Sequence, residues 1–493
     1  MAPGFIDMHS HADFTLLASP LSYCKVHQGI TTEVVGNCGM SLAPFDRRKL
    51  EEVKQYLGAF LFGQNYSWDW STLEEFFQVL ERACIGVNVV HLVGHGTVRT
   101  SIMGFESRAP TDTELRAMKN LVMQGMADGA FGLSSGLIYP PGSFANLTEL
   151  VELARVVAGF HGIYTSHIRG EGDTLLDSIR ETTAVGENAQ LPVHISHLKV
   201  MGKKNWGRSL EALDLIDRAR RRGVDVTADQ YPYPAGSTVL RQTLPPWSLE
   251  GGTDALIRRL RDLSTREKIR HDIESNTLSV TYETNPGWDN LVAGCGLENI
   301  VLSYTNYGPD KRFEGMSLLQ VNKKTGKDGL DAMFDIILND PNAIMVDFHS
   351  HDDDLDSIIR HPEVLFCTDM WALAPTGPLS GGRPHPRAYG SFPRVLAKYV
   401  REKGILPIEQ AVHRMTGKAA KRLGLRDRGI IAEGNYADLT IFDPDTIQDT
   451  ATFDSPAQYP IGISHVIVNG RVAVENGRHT GAAAGKVLRM RPG

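Results

Sequence analysis

Phe5-Ile6-Asp7-Met8-His9-Ser10-His11 begins with two apolar residues and ends in two histidines one residue apart. On a strand, alternate side chains share a face, so both imidazoles point the same way and can bind one metal. His-x-His alone is a weak signal, since polar surface and capping roles account for most such pairs. Its weight comes from the rest of the chain. Short apolar segments recur, each followed by an amphipathic one. Strands are predicted at 5–9, 31–36, 87–93, 130–134, 162–166, 192–196, 225–228 and 364–368. Helices are predicted between them, as at 112–127, 147–160, 174–187 and 209–222. Such alternation implies an α/β protein with a parallel sheet, and eight strands fit a (β/α)8 TIM-like barrel better than an open sheet. The active sites of such barrels form where the strands end.

Strand two ends in Asn37-Cys38-Gly39, strand five in Ser166-His167, strand six in Ser196-His197 and strand eight in Thr368-Asp369. Each offers a divalent-metal ligand at the face already occupied by His9 and His11. Random placement does not put ligands at so many matching strand ends, and a metal site is predicted.

This set resembles the amidohydrolase superfamily, whose signature is His-x-His on strand one, histidines on strands five and six, and an aspartate on strand eight. Many members carry a metal-bridging lysine at the end of strand four. Here that strand runs Gly132-Leu133-Ser134-Ser135-Gly136, with no lysine. The segment from Gly29 through Glu33 to Asn37-Cys38-Gly39 is similar instead to the N-acyl-D-amino-acid deacylase (D-aminoacylase) branch. So are Gly94-His95-Gly96-Thr97, Ser166-His167-Ile168-Arg169-Gly170-Glu171, Asp229-Gln230-Tyr231-Pro232-Tyr233 and Pro384-His385-Pro386-Arg387. The likeness covers nearly the whole chain.

The resemblance implies one or two Zn2+ held by His9, His11, Cys38, His167, His197 and Asp369, with Asp369 also the catalytic base. The primary zinc would sit on Cys38, His167 and His197, and a weaker second position on His9 and His11. The implied reaction is hydrolysis of the amide bond of an N-acyl-D-amino acid. The substrate's α-carboxylate needs cationic or hydroxyl donors, and Lys199, Tyr139, Tyr233 and Arg387 are the candidates, with Tyr231 competing with Tyr233. Asp7 is read either as a partner that orients a histidine or as a strand-end structural residue. Two departures stand out. Cys367-Thr368-Asp369-Met370 replaces the usual Ser-Asp-Gly, and the following loop, 371–384, is longer than usual. Members of the branch also begin earlier, with strands that complete a small β-sandwich. This chain is expected to start at barrel strand one, with the N-terminal half of that sandwich absent.

The remaining sequence sets the frame. Of 493 residues, 42% are hydrophobic and 22% charged, enough for one large catalytic domain and a smaller one. The catalytic part is placed at 1–425, including a large insertion before strand eight at 234–363, and a small β-module at 426–493. The insertion reads equally as a lid or as barrel decoration. Within the module, Asn469-Gly470 between two apolar runs predicts a hairpin. A net charge of -7 argues against a nucleic-acid surface, and no apolar run is long enough to span a membrane. Five scattered cysteines point to a reducing, cytoplasmic compartment. The expected partner is a small molecule. His95 is read as structural, Cys367 as core, and the run His349-Ser350-His351-Asp352-Asp353-Asp354 as a helix cap. Three rival readings stand: a cyclic-amidase type, dihydroorotase- or hydantoinase-like; a member of the deacylase branch acting on a different carbonyl substrate; and a non-catalytic scaffold of amidohydrolase descent.

Overall fold

The computed structural model describes residues 1–278 and 288–490. Eight parallel strands surround one axis: β1 Phe5–Asp7, β2 Ile30–Val35, β3 Asn88–His91 (resuming at Val93–Gly94), β4 Gly132–Gly136, β5 Ile163–His167, β6 Val193–Ile195, β7 Val226–Gln230 and β8 Val364–Phe366. They pair in chain order, with Thr32 opposite Asn88, Leu133 opposite Tyr164, Val193 opposite Val226 and Ala228 opposite Val364. Every strand residue is buried, as a parallel sheet covered on both faces requires. The outer helices start where the sequence supplies caps. Thr111 and Glu114 form a reciprocal capping box on Asp112–Ala127, and Thr72 and Glu75 do the same on Leu73–Ala83.

The barrel closes between β1 and β8 by side chains. The backbone bond there, Met8 N–H to the Phe366 carbonyl, is long at 3.5 Å. Asp7 Oδ1 instead accepts the N–H groups of His9 (3.3 Å) and Thr368 (2.9 Å), so both strands end two residues before the apolar pattern does. His9 and His11 therefore lie just past the strand, and strand alternation is not what aligns them. Lys25 sits under this seam, fully buried, and donates to Asp7 Oδ2 (2.9 Å), Ser10 Oγ (2.9 Å), Thr368 Oγ1 (2.5 Å) and the Met370 carbonyl (2.9 Å). Glu33 stands 3.3 Å away. Burial opposes the charge on Lys25, but Asp7 and Glu33 outweigh it and raise the ammonium pKa.

Within 234–363, Ala235–Val239, Ile344–Phe348 and Ile300–Tyr304 make an antiparallel sheet with Ile344–Phe348 in the middle. Helices Gly252–Arg261, Leu263–Ser275, Leu318–Thr325 and Asp331–Asn339 pack with it around a separate core that includes Leu256, Ile269, Phe313 and Phe334. A third body holds Leu439–Phe442, Ile463–Val468, Arg471–Glu475 and Arg478–His479 in one antiparallel sheet. Asn469 and Gly470 both take positive φ (49° and 80°), which the tight hairpin turn requires. Its edge is Ala2–Pro3, paired with Leu439 and Thr440. The chain thus contributes a strand to this sheet before it enters the barrel, where entry directly at barrel strand one was expected. Among the described residues no helix is long and apolar enough to cross a membrane.

Lys25→Met leaves Asp7 and Glu33 buried without their cation. The expected cost is about 3–5 kcal/mol of unfolding free energy, read by chemical denaturation. A loss under about 1 kcal/mol would show that the seam is held elsewhere.

Candidate metal centre and substrate cavity

Cys38 Sγ is the hub of the site. His9 Nε2 lies 3.2 Å from it, and His167 Nδ1 and His197 Nε2 each lie 3.6 Å away. Asp369 Oδ1 is 3.4 Å from His9 Nε2 and 3.2 Å from His11 Nε2. All six predicted ligands are buried: donor atoms of His9, Cys38, His197 and Asp369 lie within 4.8 Å of one another, those of His167, Glu171 and His197 form a second such group, and His11 adjoins the first through Asp369. The spacing fits a metal. Tetrahedral zinc, with bonds of about 2.3 Å to sulfur and 2.0–2.1 Å to nitrogen, sets the sulfur–nitrogen edge at roughly 3.5 Å. The donor types fit as well, one thiolate with imidazoles and a carboxylate.

Local backbone aims these ligands. Cys38, His197 and Asp369 hold positive φ (55°, 35° and 50°), a region that non-glycine residues seldom occupy and that clusters at functional sites. Gly39 follows Cys38 at φ +73°, where a Cβ would stand 2.7 Å from the Gly136 backbone nitrogen. Burial alone would raise the Cys38 thiol, but the surrounding imidazoles, led by His9, hold it well below the usual thiol range.

Carboxylates set the imidazoles in turn. Asp229 Oδ2 is bonded to His194 Nε2 (2.7 Å) and faces His9 Nδ1 at 3.8 Å, while Oδ1 accepts the His197 N–H (2.6 Å). Glu171 Oε1 lies 3.0 Å from His197 Nδ1, 2.5 Å from Lys199 Nζ and 3.9 Å from His167 Nε2. Such contacts fix ring orientation. Sequence reasoning quoted both residues within longer motifs and gave them no role. Asp229 stands at the end of β7 as the ligands stand at theirs, and that position was the available signal. Asp7 acts through the seam backbone and touches no imidazole nitrogen in the contacts above.

The predicted ligands open onto a cavity lined also by Tyr139, Lys199, Tyr231 and Arg387. Arg387 lies over the Tyr231 ring at 4.3 Å, with Nη1 3.0 Å from Asp369 Oδ2 and Nη2 donating to the Ser237 carbonyl (3.2 Å). Its Nε and Nη1 are buried and carry no aligned hydrogen bond. Tyr139 Oη meets Thr238 Oγ1 at 3.0 Å. Tyr233 is not part of the wall. Strand β7 stops at Gln230, and the Tyr233 N–H bonds back to the Tyr231 carbonyl (2.9 Å), a tight turn about Pro232. The turn breaks the alternation that put both tyrosines on one face. Tyr233 packs instead under Arg394 and against His385 and Phe453.

Other histidines sort clearly. His95 is tied to Glu149 (2.8 Å), and His351 caps helix Asp352–Arg360 by accepting the Asp353 N–H (3.3 Å). His349, read with that cap, lines the cavity instead, together with Asp347. Cys367 is buried beside Tyr231 and Tyr233.

Comparison with known proteins identifies the family. The profile of the amidohydrolase family matches residues 1–243 and 319–474. The chain is 35% identical over 488 residues to a D-aminoacylase of Alcaligenes xylosoxydans xylosoxydans, spanning 99% of this chain and 87% of the relative. It is likewise 35% identical over 497 residues to an N-acyl-D-aspartate deacylase of the same organism, spanning 99% and 84%. A solved N-acyl-D-glutamate deacylase from Bordetella bronchiseptica, complexed with zinc and a phosphonate mimic of the reaction's tetrahedral intermediate, matches with TM-score 0.79 and 33% identity. It covers 99% of this chain and 88% of that one.

Cys38→Ser removes the hub. Zinc affinity is expected to fall about 100-fold or more, read by competition with a chromophoric chelator. Unchanged zinc binding would take Cys38 out of the ligand set.

Proposed function

The chain belongs to the amidohydrolase family, and on that premise we propose that it is a zinc-dependent deacylase, cleaving N-acyl-D-amino acids to a carboxylate and a free D-amino acid. One observation carries the reading: a thiolate, imidazoles and a carboxylate packed at sulfur–nitrogen separations of 3.2–3.6 Å, beside a cavity lined by the buried cations Arg169, Lys199 and Arg387. Cys38, His167 and His197 would hold the principal zinc, and His9 and His11 a second. A zinc ion held there would supply Lewis-acid chemistry, activating water and polarising the scissile carbonyl.

The rest is done by side chains. Asp369 is the catalytic base. Burial would raise its carboxyl, but Arg387, His197 and His9 hold it well below the usual carboxylate range, so it is ionised at neutral pH. It takes the proton of the attacking water and returns it to the departing nitrogen. Arg387 steadies Asp369 through the contact of Nη1 with Oδ2, and its guanidinium, which lines the cavity, would also meet the substrate α-carboxylate. Lys199, held by Glu171, supplies the second charge, and Tyr139 a hydroxyl on the opposite wall. Tyr231 stacks under Arg387 and, at 5.7 Å, under Lys199, fixing both cations.

The same reading assigns residues 1–425 to the catalytic unit, with 234–363 as its insertion, and 426–493 to the β-module. Five free cysteines fit a cytoplasmic setting. The substrate is a small molecule.

Purified zinc-loaded protein is expected to release acetate from N-acetyl-D-amino acids and to leave their L-enantiomers untouched. Turnover of L-substrates alone, or of neither, refutes the reading. Asp369→Asn is expected to lower kcat by about 10²–10⁴-fold while bound zinc, measured separately, stays above half the wild-type content. A variant that keeps wild-type kcat would assign the proton transfer to another group.

A further inference from the structure

The cavity wall also bears on which D-side chain is accepted. Three permanent cations line it among the described residues: Arg169, Lys199 and Arg387. Arg169 is fully committed. Its Nη1 donates to the Ser143 carbonyl (2.7 Å), its Nη2 to the Ala145 carbonyl (2.9 Å) and to Glu181 (2.8 Å). The α-carboxylate uses the other two. Nothing cationic on the described wall is left for a second carboxylate.

The wall adds negative charge in its place. Asp347, on the middle strand of the inserted sheet, is buried and lines the cavity. Within 4 Å it meets one basic group among the described residues, His349 Nε2 at 3.7 Å. Lys199 and Arg387 lie near enough to lower its pKa, against the larger effect of burial, which brings it to about 6. Above that pH it is ionised, and once a bound α-carboxylate occupies the two cations, the Asp347 charge faces the cavity uncompensated. Asp289 also lines the wall, but its oxygens accept the N–H groups of Glu171, Gly172 and Asp173. Most of the remaining surface is apolar. Met201, Leu244, Leu249 and Leu291 face it from the insertion side, and Phe60 and Trp371 from the side of the barrel.

We infer that the cavity selects N-acyl-D-amino acids with apolar side chains and rejects those with a second carboxylate, and that Asp347 is a specificity residue enforcing the rejection. The inference rests on the deacylase reading and narrows it. An apolar side chain gains from leaving water for Leu244, Leu249 and Leu291. A side-chain carboxylate would lose its hydration, find no cation and meet a like charge, so it is excluded by repulsion as well as by lost solvation.

The test compares kcat/KM of the zinc-loaded full chain at pH 8, where Asp347 is ionised, for N-acetyl-D-leucine, N-acetyl-D-methionine, N-acetyl-D-aspartate and N-acetyl-D-glutamate. The neutral pair is expected to exceed the acidic pair by about 100-fold. Asp347→Asn is expected to raise the acidic-to-neutral ratio by about tenfold. Acidic substrates turned over as well as neutral ones, by a chain active on D-amino acids, would overturn this inference alone. A ratio unmoved by Asp347→Asn would overturn the part given to that residue. Turnover of no D-substrate would overturn the deacylase reading and this inference with it.

Discussion

The seam between β1 and β8 is the constraint on which the site depends. A closed barrel must join its first strand to its last, and here the join falls among the chemical residues. Its ladder is one long bond, so the work passes to the Asp7 carboxylate and the Lys25 ammonium. Past Asp7 the chains re-engage: the Asp369 N–H donates to the His9 carbonyl (2.8 Å) and the His11 N–H to the Met370 carbonyl (3.1 Å). This clasp brings His9, His11 and Asp369 together from opposite ends of the sequence. Charges buried for geometry are costly unless paired, and Lys25 serves two carboxylates at once, with burial pushing the Glu33 carboxyl upward.

A second level of order lies above the seam. The ligand backbones at Cys38, His197 and Asp369 are held in the left-handed region at some energetic cost. The structure holds them there with carboxylates in the layer behind. Asp229 touches both His194 and the His197 backbone, and Glu171 touches His197 and Lys199. One consequence is that metal-binding and carboxylate-binding groups are not independent. Glu171 links His197 to Lys199, and Arg387 links Asp369 to the cavity. A change at either cation is therefore transmitted to the metal side.

Why the fold and the clustering of the candidate ligands are readable from sequence, and the cavity less so, follows from the range of the forces involved. Buried parallel strands need continuous apolar runs, and capped helices need residues such as Thr111 and Glu114 at fixed offsets, so all eight strands and the main outer helices are visible locally. The proposed metal ligands are visible because barrel topology puts them at strand ends. Partner choice is not local. Nothing around Lys25 marks it as a buried cation, since its partners come from β1, β2 and the loop after β8. Tyr231 and Tyr233 look equivalent until the turn at Pro232 separates them. His349 sits beside residues that do cap a helix, and only the pairing of Ile344–Phe348 with Ala235–Val239 carries it, with Asp347, to the cavity.

The division of labour between barrel and insertion has a physical basis. The proposed metal ligands come from the barrel and rest on its large core, whereas Asp347, Leu244, Leu249 and Leu291 belong to a body with a separate hydrophobic core. Substitutions on the insertion side of the cavity change what the wall accepts without touching the contacts that aim Cys38 or His167. The coupling is one-sided. The insertion leaves the barrel after β7, whose end carries Asp229, and returns before β8, which leads into Asp369, so a change in how it is anchored acts on both residues. On the proposed reading, residues of the insertion set side-chain selectivity while the anchoring at β7 and β8 keeps Asp229 and Asp369 in place.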